Sequence, residues 1–254
     1  MSDLIPVQAG AEYRTPSIVT LGEEAPSLSE LFSFMSEAEL RVQSLRMRIS
    51  ETVLTARGDE TAYLEVSLRH PGYARITRRR SDQPLSRDYD VWITDGHVVR
   101  TYDAASNNAS TRPLRWGVVG GERPELPAFA RLVTPRTPLP AESIAETFIH
   151  PHGYARNVLV SGPVSIVGTA VLAGDREAFI VRADHPRSAF VLNDRPDHWI
   201  ELGVDRMTGF LLLLAQHVGD QVTRHAEVTS LEVDPILGDE VFELHLSSDV
   251  RMLY

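Results

Sequence analysis

The sequence predicts an α+β protein: a large curved antiparallel sheet, an unclosed β-barrel of roughly ten to eleven strands, covered by a few helices. Three observations carry that prediction. Segments in which apolar and polar residues alternate recur along most of the chain, as the two faces of a strand require. Gly-Asp pairs at 58–59, 174–175, 219–220 and 238–239 and an Asp-Gly pair at 95–96 punctuate them, and such pairs supply the positive φ of tight hairpins. The gaps are too short for crossover helices, so a parallel βαβ sheet does not fit.

The elements follow in order. Residues 1–26 carry Pro6, Pro16 and Pro26 without a sustained period and read as an extended arm, which leaves 27–254 as one domain. Ser27-Leu-Ser-Glu30 fits a capping box. Behind it Leu28, Leu31, Phe32, Met35 and Val42 recur at helical spacing, predicting an amphipathic helix of about fifteen residues. From Leu45 the period drops to two, and the segments LRMRISETV, TAYLEVSL, GYARITRRR, DYDVWIT and HVVRTYD read as strands. Residues 104–157 interrupt them. There, turn-rich sequence leads into 124–133 and 141–149, where Leu126, Phe129 and Leu132, then Ile144, Ala145, Phe148 and Ile149, predict two short helices acting as a lid. Strands resume with REAFIVRA, HWIELGVDR, GFLLLLAQHV, QVTRHAEVTSLEV and EVFELHL. Alternation in two of the strands places Leu64, Val66 and Leu68 on one buried face with Tyr89, Val91 and Ile93.

Composition excludes several kinds of chemistry. The chain has no cysteine, and all 25 basic residues are arginine, which removes thiolate ligands, Schiff-base lysines and the phosphate-loop lysine. A formal charge of −10 argues against binding nucleic acid, whose affinity comes from neutralising phosphates. The longest uncharged stretch, 158–174, is broken by Gly162, Pro163 and Gly168 and is too short to span a bilayer, so no transmembrane segment is expected. With no signal peptide at the start, the reading is a cytoplasmic protein. His150-Pro-His152 is a close histidine pair without a third ligand nearby, so no metal and no cofactor are expected. Neither a Gly-x-Ser-x-Gly elbow, a Gly-rich phosphate loop nor a His-Glu-x-x-His motif occurs. Arg78-Arg79-Arg80 ends a strand, where it either discourages edge pairing or receives an acidic partner or lipid head group.

Several of these segments together resemble one superfamily, the LolA/LolB-like lipoprotein carriers with the lipoprotein-sensing domain of RseB. The likeness runs through the first helix, LRMRISETV, HPGYARI, VWITDGHVVRTYD, GDREAFIV and LGVDRMTGFLLL to the strand containing Phe242, about residues 27–246. Its most specific pieces are Trp92-Ile-Thr-Asp95-Gly96 with Tyr102-Asp103, Gly174-Asp-Arg-Glu-Ala178 and Asp205-Arg-Met-Thr-Gly209. Each marks a hairpin or strand, not a catalytic site. The resemblance implies an unclosed barrel wrapped around helices, with an apolar cavity that holds acyl chains. Members normally work outside the cytoplasm behind a leader or lipoprotein cysteine; arginine-only usage suggests an actinobacterial-type relative.

The functional expectation is a non-enzymatic binding protein that takes an apolar or lipid-like small molecule between sheet and lid. Its candidate ligand-binding residues are Met47, Ile49, Leu64, Val66, Leu68, Val91, Ile93, Phe129, Leu132, Phe148, Leu212 and Leu214. Leu212 and Leu214 belong to the run Phe210-Leu-Leu-Leu-Leu-Ala215, which breaks polar alternation and so has both faces covered. Two alternatives stand beside it: a regulatory sensor module of the same fold with a protein partner, and an enzyme using the cavity as its active site.

Overall fold

The computed structural model describes residues 15–22, 24–80, 88–114, 135–153, 159, 162–184 and 197–253. The capping box forms as read: Ser27 Oγ accepts from Glu30 N at 3.2 Å, and Glu30 Oε2 accepts from Ser27 N at 2.9 Å. Helix α1 (Leu28–Ser36) is shorter than expected, because the backbone leaves helical geometry at Glu37 and continues as a 3-10 turn over Ala38–Arg41. Two side chains account for the break. Glu37, buried, accepts from the amides of Ser17 and Ile18, and Arg41 donates to the carbonyls of Phe34, Thr208 and Ile18. The arm segment 15–22 is thereby tied to the end of α1.

Among the described residues twelve strands follow: β1 (Ser44–Thr55), β2 (Gly58–Arg69), β3 (Tyr73–Arg79), β4 (Tyr89–Asp95), β5 (Val98–Asp103), β6 (Asn108–Pro113), β7 (Val164–Leu172), β8 (Arg176–Asp184), β9 (His198–Asp205), β10 (Leu211–Val218), β11 (Gln221–Val233) and β12 (Arg251–Leu253). Helix α2 (Ile144–Ile149) lies between β6 and β7 in the chain. One sheet holds all twelve strands in the order β12-β6-β5-β4-β3-β2-β1-β11-β10-β9-β8-β7. Every pairing is antiparallel except β12 on β6, and the edges β12 and β7 do not meet. The expected unclosed antiparallel sheet with a few helices is what the chain forms. Three strands, β6, β7 and β12, lie where the sequence pattern predicts none. Conversely, the segment EVFELHL begins as a 3-10 turn over Asp239–Phe242, not as a strand.

The sheet buries both faces, and this overturns one expectation. On the inner face, under α1 and α2, Met47, Ile49, Leu64, Val66, Leu68, Val181, Leu202, Leu212 and Leu214 pack with Leu31, Met35, Phe148 and Ile149 in the main core. Register assigns Leu64 to Arg78, and Arg78 to Asp90; Val66 pairs with Ile76, and Ile76 with Trp92. Trp92 therefore shares the face of Leu64 and Val66, while Tyr89, Val91 and Ile93 point to the opposite one. There Val91 and Ile93 form a second cluster with Leu237 and Phe242 of the C-terminal segment. Arg69 and Arg75 hold that segment by donating to the carbonyls of Leu237, Val241 and Glu243.

The most specific motifs turn out to be hairpin locks. Asp95 Oδ1 accepts from the amides of His97 and Val98, both at 3.0 Å, and Thr94 Oγ1 donates to Val98 O at 2.9 Å, so the β4–β5 turn is closed by its own side chains. Gly96 in that turn and Gly72 in the β2–β3 turn both have positive φ. A Cβ on Gly72 would stand 3.0 Å from the Gly96 Cα, so the two turns pack backbone to backbone and admit no side chain. At the far end of the sheet Asp205, fully buried, receives Arg176 in a forked pair at 3.0 and 2.7 Å. That ion pair and a second one, Arg206 Nη1 to Glu177 Oε2 at 2.7 Å, join the Gly174–Ala178 and Asp205–Gly209 motifs.

Candidate functional site

Cross-strand neighbours share a face, so the register can be read across the sheet as rows. One inner-face row runs Val228, Ile49, Leu64, Arg78, Asp90, Asp103 and Asn108 over β11, β1, β2, β3, β4, β5 and β6. The next runs Leu231, Met47, Val66, Ile76, Trp92, Thr101 and Ser110 over the same strands. Both begin apolar and end polar. Where they change character the face opens into a cleft of about 630 Å³. Its floor is formed by Leu64, Ile76, Arg78, Asp90, Trp92, Thr101, Asp103, Asn108 and Ser110, and its walls by Pro140, Ser143 and Ile144 at the start of α2 and by Leu253 of β12.

Charged groups in the cleft differ in how far they are satisfied. Arg224 donates Nε at 2.9 Å and Nη2 at 2.6 Å to one oxygen of Glu51, Oε1, and Oε2 accepts no hydrogen bond among the described residues. Asp103 Oδ1 accepts the amides of Ala105 and Ser106, and with the Ser106 hydroxyl these hold its carboxyl below the usual range. Burial pushes the neighbouring Asp90 carboxyl up; Asp103 and Asp88 add to that, and Arg78 and Arg80 oppose it without cancelling it. The Arg78 side chain makes no hydrogen bond or ion pair among the described residues.

A buried polar cluster holds the cleft wall in place. Glu39 Oε2 accepts from Arg136 N at 2.9 Å and lies 3.3 Å from Nε2 of His150, the residue that caps the C-terminus of α2. Burial works to raise the Glu39 carboxyl, but His150, His70 and the Arg136 amide outweigh it and hold it below its ordinary value. His70 Nδ1 shares a hydrogen bond of 2.8 Å with Thr137 Oγ1, which also accepts from Gly72 N. His150 is thus buried beside a carboxylate, and the His150 and His152 ring centres are 6.5 Å apart. Among the described residues no three His, Asp or Glu side chains are grouped to hold a metal. No helix among them is long and apolar enough to cross a membrane.

The predicted ligand-binding residues divide accordingly. Met47, Ile49, Val66, Leu68, Phe148, Leu212 and Leu214 are packed in the main core, and Leu64 reaches the cleft from its edge. Val91 borders the cleft, but its side chain, like that of Ile93, belongs to the opposite-face cluster. Phe129 and Leu132, with the predicted 124–133 helix, lie outside the described residues. Sequence reasoning missed Glu51, Arg78, Asp90, Asp103 and Arg224 as a group. A signal was present: Glu51 follows Met47 and Ile49 at period two, and Arg78 follows Ala74 and Ile76, so each is a charge at an inward position. Arg78 also lies on an interior strand, so it does not protect a sheet edge.

No family model matches the chain, and no curated protein matches it by sequence. Solved structures do. MucB is 15% identical with a TM-score of 0.50, the match covering 87% of this chain and 64% of MucB, so the chain spans about two-thirds of that protein's length. An uncharacterized conserved protein from Thermus thermophilus is 11% identical with a TM-score of 0.49, over 90% of this chain and 99% of that one. A LolA superfamily protein from Nitrosomonas europaea is 7% identical with a TM-score of 0.35, over 87% and 99%. At such identities a likeness shows fold alone. The fold is the one that the motifs' resemblance to the LolA/LolB-like superfamily implied.

Proposed function

We propose that the protein is a non-enzymatic binding protein and that its cleft holds one amphipathic, lipid-like molecule. The observation that carries this reading is the change of character along two adjacent rows of the sheet, apolar to polar and in one of them charged, inside one cleft. A tail has Leu64, Ile76, Trp92 and Ile144 to lie on, and a polar head has Arg78, Asp90 and Asp103. The volume is that of a small-molecule site, which commonly spans about 300–1,000 Å³. Within the run 210–215, Phe210, Leu211 and Leu212 are fully buried and belong to the main core.

A cleft-filling variant tests the assignment. Ser110→Trp adds bulk to the polar end of the floor without touching the main core. Monolaurin should bind the unmodified protein with micromolar affinity, about −8 kcal/mol, and at least about tenfold more weakly to the variant. Isothermal titration calorimetry reads both, with thermal unfolding as the folding check. Absence of saturable binding, or equal affinity for the two proteins, contradicts the reading.

A second reading, a protein-interaction module, has one observation in its favour. The edge strand β7 is nine residues long and uncharged, with Val167 and Val171 exposed at 55% and 65%, and such an edge invites pairing with another strand.

A further inference from the structure

Resting on the reading of the cleft as an amphiphile site, we propose that it selects a zwitterionic head group, with the anionic oxygens on the Arg78 guanidinium and the ammonium against the Asp90 and Asp103 carboxylates. Arg78 brings five donors to the cleft and uses none of them on the described residues. Its row neighbour on one side is Leu64, and Ile76 precedes it on the same face, so a bound tail displaces water from beside the guanidinium. A phosphate or carboxylate accepting two of those donors replaces that water.

An anion alone meets opposition there. The next two positions in the row are both carboxylates, directly opposite each other on β4 and β5, and like charges so placed repel. Asp103 keeps Oδ2 without a hydrogen bond among the described residues, whereas Glu51 already has Arg224 and Asp90 has Arg80 at 3.4 Å. The Asp103 carboxylate therefore remains to be met by a donor of positive charge. Strands are ~4.8 Å apart, so an ammonium carried on a two-carbon spacer from a phosphate reaches from the Arg78 position to the Asp90 position.

The test uses the full chain and lauroyl compounds below their micelle concentrations: lysophosphatidylethanolamine, lysophosphatidate and monolaurin, with dodecylammonium and free phosphoethanolamine. Calorimetry should rank the lysophosphatidylethanolamine first, about tenfold tighter than monolaurin or lysophosphatidate, with free phosphoethanolamine at least about 100-fold weaker than its lauroyl form. Arg78→Gln should reduce lysophosphatidylethanolamine to the monolaurin level. Asp90→Asn with Asp103→Asn should weaken lysophosphatidylethanolamine and strengthen lysophosphatidate. Equal affinities across the lauroyl series, tightest binding of lysophosphatidate, or full affinity in Arg78→Gln would overturn the zwitterion proposal while leaving the amphiphile site standing. If none of the tailed compounds binds, both fall. The ranking on the unmodified protein decides the matter even where a variant fails to fold.

Discussion

Replacing Asp205 with alanine should destabilise the protein by about 3–5 kcal/mol, the cost typical of removing one partner from a buried ion pair. Asp205 is fully buried, and its carboxylate takes both arms of Arg176, the Thr208 amide at 2.9 Å and the Thr208 hydroxyl. The substitution leaves Arg176, itself mostly covered at 17% side-chain exposure, without its counter-charge and leaves the Thr208 N–H without its acceptor. It also loosens the turn that carries Gly209, against which Phe34 of α1 packs so closely that a Cβ there would stand 3.0–3.3 Å from its atoms. Removing both charges, Asp205→Ala with Arg176→Met, should recover part of the loss, because no ion then lies uncompensated. Urea unfolding measures both. A loss below about 1 kcal/mol in the single variant would show that the motif is not the lock described.

Acidification should weaken the fold before most carboxylates titrate, and His70 is the main reason. Burial pushes its pKa down to about 4; Arg136 and His150 act in the same direction, while Glu39 and Asp234 oppose them. Unfolded, the ring titrates near 6.5. Between these values the unfolded chain binds a proton that the folded chain refuses, so stability rises with pH across the window. The contribution is complete above about pH 6.5 and lost by about pH 4, and its size is about 3 kcal/mol. Glu39, held below its ordinary value, adds a further loss as pH falls under about 4.5. His70→Asn retains an amide to meet Thr137 Oγ1 and cannot titrate. Its stability difference between pH 7 and pH 4 should be smaller than that of the unmodified protein by about 3 kcal/mol. Equal differences in the two proteins would remove His70 from the account.

Alternation is enough to find β1 and β2, where Met47, Ile49, Leu64 and Val66 face one core and the other side is largely solvated. It fails on β3 to β5. There Ile76 and Trp92 line the inner face while Val91 and Ile93 are covered from outside by Leu237 and Phe242, so both faces carry apolar residues and the pattern loses its sense of direction. Choosing the face requires knowing which strand residues are opposite one another, and nothing local to Val91 specifies the pairing of Ile76 with Trp92. The cleft is hidden from sequence for the same reason. Glu51, Arg78, Asp103 and Arg224 come from four strands spread over more than half the chain, and only register gathers them. Glu39, His70 and His150 are likewise separated in sequence and joined by packing alone. The hairpin motifs around Asp95 and Asp205 are legible because their chemistry is local, each side chain bonding to amides two or three residues away.

The claim that the inner-face cleft, not the 210–215 core, receives the ligand is tested most directly by photolabelling with a diazirine on the tail of a lauroyl amphiphile. Every basic residue of the chain is arginine, so trypsin separates the relevant segments cleanly. Label should appear on the peptide 88–100, which carries Trp92, and on 137–156, which carries Ile144, and unlabelled monolaurin in excess should suppress it. Label concentrated on 207–224, which contains the buried leucine run, or spread without competition over exposed apolar residues, would contradict the account.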